Sequence, residues 1–338
     1  MRSIRAGDTM EYPNKKIAIV GAGIIGLYLA EQLSKQGHLV SVFEKKSENK
    51  AGYKVCSGLY SERILKYIPL AQDCIENKIK SCIIQFSKKQ VKLNFQPQHL
   101  VINRERLVKH LICLARQAGA KLYFEQEIKD IPIGFDYVIG CDGAGSAIRK
   151  LLNLSSPQIS LGAQIFIEKS DNSNFVLSQP ISSGFCWKIP RGEQVEYGVM
   201  GSPRKAEKEF INFLKKINLD YSGKLFSAAI PQPKFLGRDA GLIFPKRKNI
   251  TLCGDASGLT KPWSGGGIIW GLTAADILLK TFPNFLEYKK QTIKRFRGLI
   301  LKGQISKQLV FFAGQYLPFV LPTEMVYDND FPNFLPTL

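Results

Sequence analysis

The sequence has 338 residues, enough for one large or two small domains. Hydrophobic residues at 45% and charged residues at 22% are an ordinary globular balance, which argues against disorder, collagen and coiled coil. Lys and Arg number 47 against 28 Asp and Glu, a net charge of +19 that asks for an acidic partner (nucleic acid, an anionic membrane, an acidic protein) unless it only reflects lysines on solvated faces.

The seven cysteines are odd in number and form no CxxC pair, so a disulfide framework and a metal cluster are both disfavoured and a reduced, cytoplasmic chain is expected. His38, His99 and His110 form no HxxxH or HExxH pattern, which removes most support for zinc hydrolysis or a histidine triad; no metal site is expected. No apolar run is long enough to span a bilayer. Residues 1–15 are polar with no apolar core of a secretory signal, and Met10 is a second candidate start.

In chain order, residues 16–20 read as a buried parallel strand. They run into Gly21-Ala22-Gly23-Ile24-Ile25-Gly26, a helix over 27–36, a stop at Gly37 and a second strand over 39–43 that ends at Glu44. This is the order a dinucleotide fold requires. Gly21 makes the tight turn, Gly23 lets the backbone approach a pyrophosphate, and Gly26 lets the helix pack on the strand. The helix N-terminus, with the amides of Ile24 and Ile25, turns its positive end to the phosphates. Glu44, with Lys45 beside it, stands where a carboxylate can accept ribose hydroxyls. The fingerprint alone does not separate FAD from NAD.

Residues 82–86 and 90–95 read as a hairpin, and 104–118 as a basic helix ending at Gly119. Residues 136–140 are an apolar strand before Cys141-Asp142-Gly143. Strands are expected over 159–169, 174–177, 184–189 and 195–200, and an amphipathic helix over 207–217. Another strand from Ile250 ends in Gly254-Asp255. Gly265-Gly266-Gly267-Ile268 then opens an apolar helix to Leu279. Residues 287–307 carry seven Lys and Arg against one Glu, with Ile293, Phe296 and Ile300 on one helical face. The apolar stretch 309–321, broken by Gly314 and Pro318, suits docking on a bilayer surface, a channel wall or ordinary packing. No role is evident for residues 327–334.

The Asp142-Gly143 and Gly254-Asp255 segments resemble the DG and GD motifs of FAD-dependent enzymes with the para-hydroxybenzoate hydroxylase type of fold. With the GxGxxG they fall in that family's order, which implies FAD. Asp255 would then accept hydrogen bonds from ribityl hydroxyls, or else cap a helix. Amides at Gly265, Gly266, Gly267 and Ile268 would face the pyrimidine edge of the isoalloxazine, where a helix N-terminus stabilises the charge of reduced flavin. Asp142 is expected to be partly structural. A second GxGxxG is absent, so electrons would come from NAD(P)H bound transiently or from a ferredoxin.

Further segments resemble the archaeal geranylgeranyl reductases. They are Val55-Cys56-Ser57-Gly58-Leu59, Asn103-Arg104, the strand Gly184-Phe185-Cys186-Trp187-Lys188-Ile189-Pro190, and Ala229-Ile230-Pro231, together with the run from Gly254 to Ile268. The resemblance implies an α/β fold: a Rossmann-like FAD-binding domain (14–60, 98–158 and 238–283), an inserted antiparallel β-sheet substrate domain (61–97 and 159–237) and a helical C-terminal segment (284–338). It implies reduction of C=C bonds in isoprenoid chains of membrane lipids by hydride from reduced flavin. Cys56 would shape the site or relay a proton, or be a small buried hydrophobe. Phe185, Trp187 and Trp263 would line an apolar tunnel, although Trp187 could equally be core. Arg104 would reach FAD or be a surface charge. Lys188 alternates to the opposite, solvated face.

Phe185-x-Trp187-x-Ile189-Pro190 is also close to a halogenase strand motif, so a flavin monooxygenase or halogenase is the alternative. A non-enzymatic flavin-binding or RNA-associated protein, motivated only by the charge, is weakest, since no RNA-binding signature is present and no nucleic acid is expected. The lead partners are an isoprenoid lipid, an electron donor and an anionic membrane surface, with the protein cytoplasmic or peripheral on the inner face of the membrane.

Overall fold

The computed structural model describes residues 14–332 except 222, 224, 234–236 and 238. Met10 and the last two residues of 327–334 lie outside the described residues. The strands are β1 (Lys16–Val20), β2 (Leu39–Phe43), β3 (Leu59–Ser61), β4 (Ile75–Gln85), β5 (Gln90–Ile102), β6 (Lys121–Tyr123), β7 (Tyr137–Gly140), β8 (Gln158–Asp171), β9 (Phe175–Ile181), β10 (Gly184–Pro190), β11 (Gly192–Gly201), β12 (Phe226–Gln232), β13 (Ile250–Leu252) and β14 (Glu324–Tyr327). The helices are α1 (Ile24–Lys35), α2 (Arg104–Gln117), α3 (Ala147–Leu151), α4 (Ala206–Lys216), α5 (Ile268–Thr281) and α6 (Phe285–Tyr316).

The smaller sheet is parallel, in the order β13-β7-β1-β2-β6. The last four residues of β1 are buried, as expected of a strand covered on both faces. α1, α2, α5 and α6 pack on it through Leu27, Leu111, Trp270 and Tyr288. Asn103 caps α2 by accepting the Arg106 N–H at 3.1 Å.

The larger sheet runs β12-β8-β11-β10-β9-β4-β5-β14, with β3 also on β5. It is mostly antiparallel, but β4 pairs with β9 in parallel and β14 with β5 in parallel. Those strands meet from distant parts of the chain, so no hairpin dictates their direction. α4 covers this sheet with Phe210, Phe213 and Leu214.

Residues 287–307 and 309–321 do not form separate pieces. One 32-residue helix, α6, runs through Gly314 and ends before Pro318. Its buried stripe, Phe285, Tyr288, Thr292, Phe296, Ile300 and Gly303, repeats every three to four residues and packs beside α5. Glycines let it come close: a side chain at Gly303 would strike Trp263, and one at Gly314 would strike Phe86 at the β4–β5 turn.

Candidate functional site

At the N-terminal fingerprint β1 turns through Gly21, whose φ of +103° only glycine adopts readily. A Cβ on Gly26 would enter the Gly21 carbonyl, which explains the close seat of α1 on the turn. Gly23, by contrast, faces open space: nothing lies within 4 Å of where its Cβ would be. No side chain caps α1 there, so first-turn amides at Ile24 and Ile25 face that space. Glu44 accepts the Ala22 N–H at 2.9 Å and the Lys46 N–H at 3.0 Å, which fixes its carboxylate at the rim of the turn; Lys45 beside it is exposed. Open room, first-turn amides and a fixed acid suit the pyrophosphate and ribose of an adenine dinucleotide.

Asp142 caps the short α3, accepting from Ala147 N at 2.6 Å and Ile148 N at 3.2 Å. Its other oxygen is buried without a partner among the described residues, and Gly143 beside it faces open space. An unmet acceptor beside such a gap suits a polar cofactor.

The second half of the site lies where the two sheets meet. Just after β13 comes Gly254 (φ +64°), and Asp255 crosses the N-terminus of α5, since a Cβ on Gly267 would lie 2.7 Å from its Oδ1. Its Oδ2 pairs with Lys54 Nζ at 2.7 Å, a partner that the sequence pattern did not reveal. Gly265 (φ +68°) passes so close to Met200 and Ile230 that a side chain would collide with them, and Gly266 lies on Lys261. The Gly265–Gly267 turn thus floors a cavity to which the large sheet contributes Phe185, Trp187, Ile189, Met200 and Ile230, the last two against the turn itself.

Cys56, Tyr60 and Arg104 stand together on a third side. Cys56 Sγ lies 3.2 Å from the Tyr60 hydroxyl, which accepts from Arg104 at 3.4 Å, while Arg104 Nε is buried without a partner among the described residues. Burial raises the Tyr60 phenol far above its usual range.

Trp187 reaches the cavity from β10. Opposite it on β11 is Gly198, and any side chain there would collide with the indole. The ring lies over that glycine, and its N–H donates to Glu196, the diagonal neighbour, at 2.8 Å. Arg191 donates to Glu196 at 2.6 Å, to Glu76 at 2.7 Å and to the Ser57 carbonyl at 2.8 Å, so one guanidinium ties the Trp187 wall to the loop that carries Cys56. Burial pushes Glu196 up to about 7, against the opposing pull of Arg191 and the indole.

Two expectations on the sequence change here. Trp263 does not line the cavity: it packs edge-on to Trp270, against Gly303, and donates to Asn329 at 2.9 Å. Lys188 does face away from the cavity, but it is paired with Asp171 at 2.7 Å; against the upward push of burial, Lys188 and the hydroxyl and N–H of Ser173 hold Asp171 down to about 2.

Comparison with known proteins fits this geometry. The NAD(P)-binding Rossmann-like domain family matches residues 19–52. Kynurenine 3-monooxygenase of Flavobacterium johnsoniae is 30% identical over 80% of this chain and 73% of its own. Digeranylgeranylglycerophospholipid reductase 1 of Methanosphaera stadtmanae is 25% identical over 83% of this chain and 78% of its own. The chain belongs to the FAD-dependent oxidoreductase family of these relatives. This oxidoreductase shares its fold with a geranylgeranyl bacteriochlorophyll reductase-like protein from Thermoplasma acidophilum, at a TM-score of 0.70, 19% identity and 87% of both chains. It also matches a flavin-dependent halogenase, at 0.68 and 15% identity over 94% of this chain and 69% of that one.

Proposed function

We propose that this FAD-dependent oxidoreductase saturates C=C bonds in the isoprenoid, geranylgeranyl-type chains of membrane lipids or their precursors. The observation that carries the reading is the apolar group Phe185, Trp187, Ile189, Met200 and Ile230 that the large sheet gives the cavity above the Gly265–Gly267 turn. Such a surface has little to offer a polar substrate and favours a hydrocarbon chain.

FAD supplies a hydride-donating flavin. Gly21, Gly23, Ile24, Ile25 and Gly26 receive its pyrophosphate, Glu44 and Lys45 its adenosine end, and Arg104, Asp142 and Gly143 its middle. Gly254 and Asp255 take the ribityl chain, and Gly265, Gly266, Gly267 and Ile268 the pyrimidine edge. Trp187, locked by Glu196, holds the chain flat, and Cys56, on the Tyr60 hydroxyl, stands where a proton can be held beside the double bond. The electrons come from NAD(P)H or an acidic ferredoxin.

An anionic membrane surface supplies the substrate. Among the described residues no helix is long and apolar enough to cross a bilayer. The outer stripe of α6 nevertheless exposes Leu309, Phe312 and Tyr316, and Phe319 beyond it is 77% exposed. Greasy residues on a chain of charge +19 suit peripheral docking from the cytoplasm.

A second reading, oxygen-dependent monooxygenation of an aromatic substrate, is favoured by the 30% identity to kynurenine 3-monooxygenase. Anaerobic mixing of the reduced protein with a geranylgeranyl phospholipid separates the two. Reoxidation of the flavin supports the reductase. Reoxidation only on admitting oxygen, with hydroxylation of an aromatic compound, supports the monooxygenase.

A further inference from the structure

Residues 324–331, beyond α6, return to the cavity. β14 adds to the edge of β5, and Arg63 then grips Asp328 with two hydrogen bonds, at 2.7 and 2.8 Å. Asp328 also accepts the N–H groups of Asp330 and Phe331 at 3.0 Å, a tight turn that drives the next two side chains inward. Asn329 accepts from Trp263, and the Asp330 carbonyl accepts from Trp270 at 2.7 Å. The Asp330 side chain is 1% exposed, receives the Ser61 hydroxyl and pairs with Lys261 Nζ at 3.0 Å.

Lys261 is placed by the loop that forms the cavity floor. Its N–H donates to the Gly266 carbonyl at 3.1 Å, and its carbonyl accepts the Gly265 N–H at 2.8 Å. Its ammonium lies against the same turn, since a Cβ on Gly266 would sit 3.4 Å from Nζ and 2.9 Å from Cε. Ser61, Lys261, Asn329 and Asp330 form one polar corner of the cavity to which the large sheet contributes Phe185, Trp187, Ile189, Met200 and Ile230. A buried ammonium is costly, and a buried ion pair is a poor way to add stability. A charge kept beside an active-site cavity at that cost points to chemistry.

We propose that Lys261 is a cationic group of the flavin site, that its ammonium stabilises the negative charge reduction places on the pyrimidine edge, and that the C-terminal segment sets the strength of that charge through Asp330. The proposal rests on the reading that Gly265 to Ile268 face that edge, and a charge near it is a direct control on flavin electronics. Lys261 acts through space on the cofactor, with Asp330 as its positioning partner.

Sulfite tests this without any lipid substrate, because its reversible addition to flavin N5 leaves negative charge on the same edge. Its dissociation constant is read from flavin absorbance in the FAD-loaded protein. Lys261→Met should weaken sulfite binding about tenfold and lower the midpoint potential to match, about 30 mV for a tenfold change in a two-electron equilibrium. Asp330→Asn, which keeps an acceptor for Ser61 and leaves the ammonium unneutralised, should shift both quantities the other way. The double variant, which buries neither charge alone, should fall between them and covers the case in which a single variant does not fold. A merely structural pair would move both single variants in the same direction; that result, or no movement in either, overturns the proposal. Because no lipid is used, its failure leaves the reductase reading standing, and failure of lipid turnover leaves the sulfite result standing.

Discussion

The indole N–H of Trp187 donates to Glu196 at 2.8 Å, and Arg191 holds the same carboxylate at 2.6 Å. Glu196 is wholly buried, so this pair of donors decides where one wall of the cavity stands. Glu196→Ala would leave the indole and part of the guanidinium buried without an acceptor, at a cost of roughly 3–5 kcal/mol. Urea unfolding should show that loss. Glu196→Gln keeps an acceptor of the same shape and should lose clearly less. Equal losses would mean that the carboxylate does not organise the wall.

Two glycines of the fingerprint should respond differently to the same methyl group. Gly26→Ala drives a Cβ into the Gly21 backbone and should destabilise the fold. Gly23→Ala meets only open space, so thermal stability should be nearly unchanged while FAD affinity falls at least about tenfold, or about 1.4 kcal/mol. Unchanged FAD affinity in Gly23→Ala would remove the pyrophosphate from this turn.

Much of this was legible in the sequence, for a physical reason. The buried strand over 16–20, its glycine turn and the acid at Glu44 are local, and each has a fixed spacing. The strands flanking Trp187 show through their alternation. Less was readable where a contact depends on strand register. Glu196 reads as an ordinary strand carboxylate until Gly198 opens the path for the indole. β4 and β5 extend well beyond 82–86 and 90–95, where Lys78, Lys80, Gln96 and Gln98 interleave with buried Ile79, Leu100 and Val101 and Pro97 interrupts the pattern. Residues 327–331 had no visible role, since their partners Ser61, Arg63 and Lys261 are more than sixty residues away.

His99 makes acid stability informative. Burial, aided by the Lys261 ammonium, lowers its pKa from 6.5 to about 4. The ring is neutral in the fold, while the unfolded chain takes up a proton first. Its contribution is therefore complete above pH 6.5 and is lost as pH falls toward about 4. Over that window the wild type should lose up to about 3 kcal/mol more than His99→Gln, measured by urea unfolding at each pH. Parallel pH profiles would contradict the neutral assignment.

The exposed stripe of α6 predicts binding to vesicles. Wild type should float with anionic phospholipid vesicles, and less so at high salt. A Phe312→Ser, Phe319→Ser double variant should lose most of that binding with little change in folding, because both rings are exposed. Undiminished flotation would place the membrane contact elsewhere.

Product mass after anaerobic turnover tests the central claim most directly. The FAD-reduced protein is mixed with a geranylgeranyl phospholipid in the absence of oxygen, and lipid mass is compared with the flavin reoxidised. The account predicts a gain of two hydrogens for each flavin reoxidised, with the yield reduced in Trp187→Ala. A lipid of unchanged mass beside flavin that stays reduced until oxygen enters would contradict it.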